Sequence, residues 1–491
     1  MFSGLDALKS AVFDLGIEVR TYVPGYPITE VAYALEAEIA VNEKVALETA
    51  LGASATGVRS MVLVKQVGMN MLADPLLISA SHTIGSGVVV VAGDDLGPLG
   101  SQSEMDSRCF GMLCQLPLFD PSDPASLYRS LAEACTVSEE IRAPSIVRIT
   151  PQLTGARDDE PPQPAIRPEG EKRFDPSIWN LTARGRAQRF YREVLPLLEN
   201  RSMNTDLNFQ RTAKGPSAGA KVGIIASGHP ALLSRDLQAS LFVPGYVHPL
   251  PREKLQKFVA SHDAILVAEE PWPLIESQLG ALPGIYGRLT GHLPYGPLEM
   301  EDLKIALERL AEVDISPPVV RPETAAERGS RSICEDCPFL ALFKAVARMD
   351  VPVAGDAGCS IMAVREPVPA VDVVFGLGSS IGVASGFKSK GIAVIGDYAF
   401  AHSGVQGLMN ARWQKKSVLV IVIKNGVAAM TGGQEAIDPQ PILAALVPHL
   451  ISMKETATED EIARLLSTEL KRPGLSAILV SGTCPRQNRP S

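Results

Sequence analysis

Short apolar runs alternate with amphipathic stretches along most of the chain. RSMVLVK (59–65), GVVVVAG (87–93) and SIVRIT (145–150) are too short for helices and mostly apolar, so they read as buried strands. Between them, 42–57 and 124–142 carry helical spacing. That rhythm implies a parallel sheet covered by helices. It returns at AKVGIIASG (220–228) and DAILVAEE (263–270), and again at IAVIG (392–396), SVLVIVI (417–423) and SAILVSG (476–482). Two stretches break it. Residues 151–185, beginning PQLTGARDDEPPQPAIRPEGEKRFDP, are crowded with proline and charge, and ISPPVVRPETAAERGSRS (315–332) is similar; both read as linkers. A charged helix, about 185–199, follows the first. The expectation is an α/β chain of three units in series: 1–150, then a linker and helix over 151–219, then 220–314 and 333–491.

Composition narrows the class. A length of 491 residues, 46% of them hydrophobic, accommodates about three domains with their own cores. The net charge of −9 and the lack of basic runs exclude a nucleic-acid surface. No apolar stretch reaches the ~18 residues of a membrane span. The opening MFSGLDALKSAVFD lacks the basic-then-apolar pattern of a signal peptide, so a cytoplasmic location is expected. There the seven cysteines stay reduced, and their spacing speaks to metal or redox chemistry rather than to disulfides.

The strand at 392–396 runs into Gly396 and a carboxylate, Asp397. Locally, that carboxylate reads as a cap on the next helix. A helix over 403–414 then crosses back, and the next strand, 417–423, leads to Asn425. A right-handed strand–helix–strand unit puts both ends on one rim of the sheet, where ligands of open parallel sheets gather. The Asp397 carboxylate, the Asn425 amide and the Val427 carbonyl then offer three oxygens, a set suited to Mg2+ that keeps phosphate oxygens as further partners. Upstream, the glycines of GLGSSIGVASG (376–386) let backbone N–H groups approach a phosphate. These parts describe a magnesium–diphosphate site. A nicotinamide site is the weaker reading, because no acidic residue ends a strand where a ribose would need it.

A Gly-Asp pair separated from an Asn by 27 residues resembles the thiamine diphosphate motif. With HSG (402–404) and AMTGG (429–433), the fuller string resembles the large (alpha) subunit of indolepyruvate ferredoxin oxidoreductase, within the thiamine-dependent 2-oxoacid:ferredoxin oxidoreductases. NEKVALE (42–48), GYPIT (25–29), VKQVGMN (64–70) and SQSEMDSRCFG (101–111) resemble the same family, and the likeness covers nearly all the chain outside 151–215. It implies a pyrimidine-binding domain over 1–150, a transketolase C-terminal-like domain of structural role over 220–314, and a diphosphate-binding domain over 333–491. It implies Mg2+ on Asp397, Asn425 and Val427, with Gly378, Ser379, Gly396, Met430 and Thr431 also touching the cofactor. Glu43 would hydrogen-bond the aminopyrimidine ring as an acid–base group; the alternatives are Glu48, or a solvated helix start made of Glu43, Lys44 and Glu48. Thr29 would bind the 2-oxoacid, and Arg108 would clamp its carboxylate with two parallel bonds unless it is simply an exposed helix arginine. Lys65 and Gln66 would lie near the site. His402 would donate to substrate or phosphate, unless it is a core or capping histidine.

Four more residues carry the electrons in this reading. Cys334 and Cys337 stand in ICEDCPF, Cys359 in DAGCSI and Cys484 in SGTCPR. By type alone, four thiols in one domain suit zinc, a [4Fe–4S] cluster, or no ligand; the resemblance selects the cluster. Cys109, Cys114 and Cys135 lie in apolar helical settings and read as core fillers. A decarboxylated 2-oxoacid that is protonated leaves as an aldehyde; one oxidised an electron at a time can pass to coenzyme A. The implied reaction is therefore oxidative decarboxylation of an arylpyruvate-like acid, such as indolepyruvate, to acyl-CoA and reduced ferredoxin. Two features depart from the family pattern. Glu335 and Asp336 stand where Pro-Gly is more usual, and that charge lowers a cluster's potential. No ferredoxin-like tail follows Cys484, so electrons are expected to leave to a soluble ferredoxin or a separate subunit. A smaller (beta/gamma-type) partner subunit in a dimer of heterodimers completes the expectation. The rivals are a non-oxidative thiamine-dependent decarboxylase or ligase with idle cysteines, and a non-catalytic scaffold.

Overall fold

A computed structural model describes residues 1–97, 100–101, 103–159, 172–178, 183–213, 221–280, 282–312 and 332–485. The chain forms two compact units, 1–325 and 326–491. Most of the proposed linker 315–332, and 160–171 and 179–182 of the first linker, lie outside the described residues.

Among the described residues the first unit holds two larger sheets and a two-stranded antiparallel pair, Phe2–Ser3 with Arg157–Asp158. One has six parallel strands in the spatial order Glu38–Ile39, Val19–Tyr22, Ser60–Lys65, Val88–Gly93, Ser145–Ile149 and Leu118–Phe119. The three strands expected from their apolar runs are its centre. Val62, Leu63, Val89, Val90, Ile146 and Val147 are all fully buried, each contributing about 1.5–3 kcal/mol by leaving water. The two-residue strands at its edges are too short to register as a periodic pattern. Helices Glu43–Ala55 and Pro124–Ile141 match the two amphipathic segments, started by Asn42 and Asp123, whose side chains accept from Val45 and Ser126 N–H groups.

The second sheet runs Ile285–Tyr286, Ala264–Ala268, Val222–Ala226, Ser240–Val243 and Phe209–Arg211. Its first four strands are parallel, and Phe209–Arg211 joins antiparallel. That edge strand belongs to a stretch the sequence reads as linker and helix. Its residues are half exposed, so they carry no buried apolar run. The charged helix spans Ala183–Asn204, with a wider turn at Phe190–Val194.

The second unit is built on a six-stranded parallel sheet: Val373–Val374, Val353–Gly355, Gly391–Gly396, Val418–Lys424, Ser476–Ser481 and Leu450–Lys454. Apolar clusters cover both faces, one around Phe343, Ile421 and Leu466 and the other around Phe400, Val420 and Leu443. The fold is α/β, with three main sheets that are parallel apart from the edge strand Phe209–Arg211. Among the described residues no helix is long and apolar enough to cross a membrane.

Candidate functional site

The carboxyl rim of the second unit carries the densest chemistry. Strands Gly391–Gly396 and Val418–Lys424 are parallel neighbours with Gly396 opposite Ile423, so the residues after each emerge side by side. Gly396 is extended and caps a helix that begins at Asp397 itself, earlier than the expected 403. Its turns run through a wider segment, Phe400–Gly404, into Val405–Trp413. Asp397 is 1% exposed. One carboxylate oxygen accepts the Tyr398 N–H at 2.8 Å, and the other accepts the Gly426 N–H at 2.7 Å. Asn425 precedes that glycine, and its amide oxygen accepts from the Val427 N–H at 3.3 Å. Asp397, Asn425 and Val427 therefore meet in one turn. Val427–Ala428 pairs with Gln434–Glu435 as a small hairpin whose loop presents Met430, 40% exposed, and Thr431, whose hydroxyl donates to Gln434.

No cationic side chain among the described residues pairs with Asp397. Burial pushes its carboxyl up, and only backbone N–H groups oppose that shift. A sealed carboxylate at a sheet rim, with an amide and a carbonyl beside it, fits a divalent cation in charge and donor type.

The glycine turn differs from the sequence reading. Gly378 and Ser379 are expected to offer N–H groups to the diphosphate. In the structure both donate to the Asp356 carboxylate, as does the Ser380 N–H at 3.2 Å. Asp356 is 1% exposed and follows the strand Val353–Gly355. Nothing in the sequence reading anticipates it, although Gly355-Asp356 repeats the strand-then-Gly-Asp pattern of Gly396-Asp397. Gly378 has a φ of +82°, and a Cβ there would stand 1.9 Å from Ser403 Oγ, so only glycine fits. His402 is buried in the wide turn, with Nδ1 3.1 Å from Ser403 Oγ.

The cysteines of this unit are partly buried. Cys334 and Cys337 share a turn, Cys337 N–H to Cys334 C=O at 3.1 Å. Burial, with the thiols of Cys334 and Cys484 adding, pushes the Cys337 thiol up. Cys359 opens a short turn after Asp356. The thiol chemistry suits a cluster, but among the described residues no three His, Cys, Asp or Glu side chains converge as a metal site.

In the first unit, Glu43 opens its helix and is 5% exposed. A Cβ on Gly68 would lie 2.6 Å from Glu43 Oε1, so this glycine admits the carboxylate. Glu48 instead has a side chain 49% exposed and pairs with Lys44 on the surface. Of the two carboxylates, only Glu43 is withdrawn from water. Lys65 lies across Gly25 at the end of its strand. Gln66 is fully buried; its amide donates at 3.5 Å to the Ser103 carbonyl, and its Oε1 has no partner among the described residues. Thr29 is buried and exchanges hydrogen bonds with Gly25, at 2.9 and 3.3 Å.

Arg108 is not an exposed helix arginine. It is fully buried, and its guanidinium donates to Asp106, Glu269, Ser227 and the Trp272 carbonyl at 2.6–3.3 Å. Those contacts occupy all five N–H donors of the group. It ties the first sheet to loops of the second. Beside it, fully buried Arg148 holds Asp120 at 2.8 and 3.0 Å, Asp94 at 3.4 Å and the Glu270 carbonyl at 2.8 Å. The signal for this joint is present in the sequence: an arginine inside SIVRIT, and two glutamates closing DAILVAEE. Charges within buried strands need partners. Cys114 and Cys135 are buried in the apolar core, whereas Cys109 packs at its margin.

The profile described as "Thiamine pyrophosphate enzyme, C-terminal TPP binding domain" matches residues 356–444, from Asp356 through the Asp397–Asn425 turn. Indolepyruvate oxidoreductase subunit IorA of Methanothermobacter thermautotrophicus is 30% identical over 476 residues, covering 88% of this chain and 76% of that protein. The chain belongs to the IorA family. The IorA proteins of Archaeoglobus fulgidus, at 29% identity over 88% of the chain and 75% of that protein, and of Thermococcus kodakarensis, at 28% over the same shares, agree. Family membership makes this a thiamine-diphosphate-dependent oxidoreductase. A solved 2-oxoglutarate:ferredoxin oxidoreductase from Magnetococcus marinus superposes over 64% of this chain and 65% of that one at 17% identity and a TM-score of 0.49, too loosely to bear on chemistry.

Proposed function

We propose that this IorA-family chain is the thiamine-binding subunit of a 2-oxoacid:ferredoxin oxidoreductase acting on an arylpyruvate such as indolepyruvate, with acyl-CoA as product. The observation that carries the reading is the sealed Asp397 carboxylate, opposed by no cation among the described residues, in one turn with Asn425. Asp397, Asn425 and the Val427 carbonyl would hold Mg2+, and through it the diphosphate. Thiamine diphosphate, when bound, supplies the carbon that attacks the 2-oxoacid and takes up the electrons left by carbon dioxide.

The chain's own residues do the rest. Glu43, buried against Gly68, holds or moves a proton at the aminopyrimidine. Lys65 offers a positive charge to the 2-oxoacid, and Gln66 lies beside it. Thr29, locked onto Gly25, shapes the same rim. His402 meets substrate or phosphate. Cys334, Cys337, Cys359 and Cys484 are the candidate ligands of a [4Fe–4S] one-electron centre. A partner subunit, in keeping with the word subunit in the relatives' name, is proposed to be the smaller one, and a ferredoxin completes the assembly. The domain roles proposed are pyrimidine binding over 1–150, structure over 220–314 and diphosphate binding over 333–491.

The test is calorimetric titration of anaerobically purified protein with thiamine diphosphate and Mg2+, together with its absorption spectrum. Saturable heat that disappears when Mg2+ is withheld is expected, with brown absorbance that bleaches in air. Absence of binding would reject the reading. Binding without iron, and an aldehyde as product, would replace it with the non-oxidative decarboxylase. Glu43→Gln is expected to leave the binding heat intact and lower turnover by about 10²–10⁴-fold, the usual range for a lost acid–base group.

A further inference from the structure

We infer that Ser403 is a positioning residue that holds His402 in one tautomer, with its proton on Nδ1 and its lone pair on Nε2. The inference rests on the proposed role of His402 and goes further by assigning the direction in which that side chain handles a proton.

A serine hydroxyl has one proton to give and two lone pairs to receive with. Ser403 Oγ lies 2.8 Å from the Leu377 carbonyl oxygen. A carbonyl only accepts, so the hydroxyl proton is committed to it. His402 Nδ1 stands 3.1 Å from the same Oγ. With the serine's only proton spent, that contact is a hydrogen bond only if Nδ1 carries the hydrogen. In the neutral ring the other nitrogen then bears the lone pair.

The hydroxyl is held in this arrangement from the far side. Leu377 C=O and Gly378 N–H belong to one planar peptide unit and point in opposite directions. The Gly378 N–H donates to the buried carboxylate of Asp356, and the Asp356 N–H is tied in turn to Ser360 Oγ at 2.8 Å. The positive φ of Gly378 and the absence of a Cβ bring that peptide against Ser403 Oγ. A relay therefore runs from Asp356 through the 377–378 peptide and Ser403 to the imidazole. Its consequence is chemical. Neutral His402 accepts a proton or hydrogen bond through Nε2, and donates through Nε2 only as an imidazolium.

The chain has seven histidines, few enough for histidine-selective 15N labelling of the whole protein. Two-bond 1H–15N correlation spectra, with and without thiamine diphosphate and Mg2+, report the tautomer of each ring, and His402→Gln identifies the signal. The expected pattern for His402 in the protein without cofactor is a pyrrole-type Nδ1 and a pyridine-type Nε2. The opposite pattern, or an average of the two, overturns the inference. Ser403→Ala is expected to convert the single tautomer to a mixture while the other six signals stay in place; an unchanged His402 signal would remove Ser403 as the cause. If the alanine variant does not fold, Ser403→Cys, a weaker hydrogen-bonding partner, is expected to give a partial mixture and is read the same way. A correct tautomer in a protein that binds no thiamine diphosphate would sink the proposed function and leave this assignment standing. A reversed tautomer in one that binds it would do the converse.

Discussion

Both units bury carboxylates at the carboxyl ends of parallel strands, and they satisfy them in opposite ways. In the first unit, Asp94, Asp106, Asp120 and Glu269 meet the guanidinium groups of Arg108 and Arg148, and the cluster is closed to water. In the second, Asp356 and Asp397 receive backbone N–H groups, with no cationic side chain among the described residues. A carboxylate matched to arginine has its charge and geometry completed by the protein. A carboxylate given only N–H dipoles keeps an uncompensated charge, which a cation from solution can complete. The comparison separates a joint from a site, two things that burial alone makes look alike.

The largest effect is expected at the joint. Arg108→Met leaves Asp106 and Glu269 buried without their ion-pair partner, a change worth about 3–5 kcal/mol. Denaturant unfolding of the first unit should shift by that amount, while thiamine diphosphate still binds the variant that remains folded. The same experiment addresses a substrate role for Arg108. If stability holds and only KM for the 2-oxoacid rises, the arginine acts on substrate and the comparison breaks.

The next effect is expected at the site, and in binding rather than folding. Asp397→Asn keeps the shape and removes the charge. Mg2+-dependent affinity for thiamine diphosphate should fall at least about 100-fold, the scale on which even the outer supports of a metal ligand act. Unfolding of the second unit should change by no more than about 1–2 kcal/mol. Loss of a buried charge is favourable there, whereas an amide N–H facing the Gly426 or Tyr398 N–H is not. A large loss of stability with binding preserved would make Asp397 a helix-start residue and nothing more.

Much of this was legible in the chain. Short, mostly apolar runs located the central strands of both six-stranded sheets, and Gly396-Asp397 with Asn425 located the rim turn, because those features are local. What was not legible is relational. Ser60–Lys65 reads as a strand by itself, but Glu38–Ile39 becomes one only beside Val19–Tyr22. Gly378 and Ser379 carry the composition of a phosphate loop, and only the fold reveals that Asp356, more than 20 residues upstream, already meets their N–H groups. Arg108 looked like a surface or substrate residue because its partners, Ser227, Glu269 and Trp272, lie more than 100 positions away.

The smallest effect probes whether the joint is as complete as its ion pairs suggest. Asp94 is the member least well matched. One of its oxygens receives the Ser107 N–H at 3.2 Å and Arg148 at 3.4 Å, and the other has no partner among the described residues. Burial first, with the neighbouring Asp106 charge adding and Arg148 opposing, raises its pKa from the ordinary carboxylate value to about 7. The folded state therefore binds this proton more tightly than the unfolded chain does. Its contribution to stability is complete below the unfolded pKa near 4 and is lost as pH rises toward 7. Asp94→Asn mimics the protonated acid, placing its N–H2 where the unpartnered oxygen stands. The variant should match the parent near pH 4 and gain on it as pH rises to 7, by at most about 1.4 kcal/mol per pH unit and by less where Asp106 shares the proton. Parallel stability curves across that window would mean that Arg148 already neutralises Asp94 in full. The first unit's rim would then hold only matched charges, and the contrast with Asp397 would be sharper still.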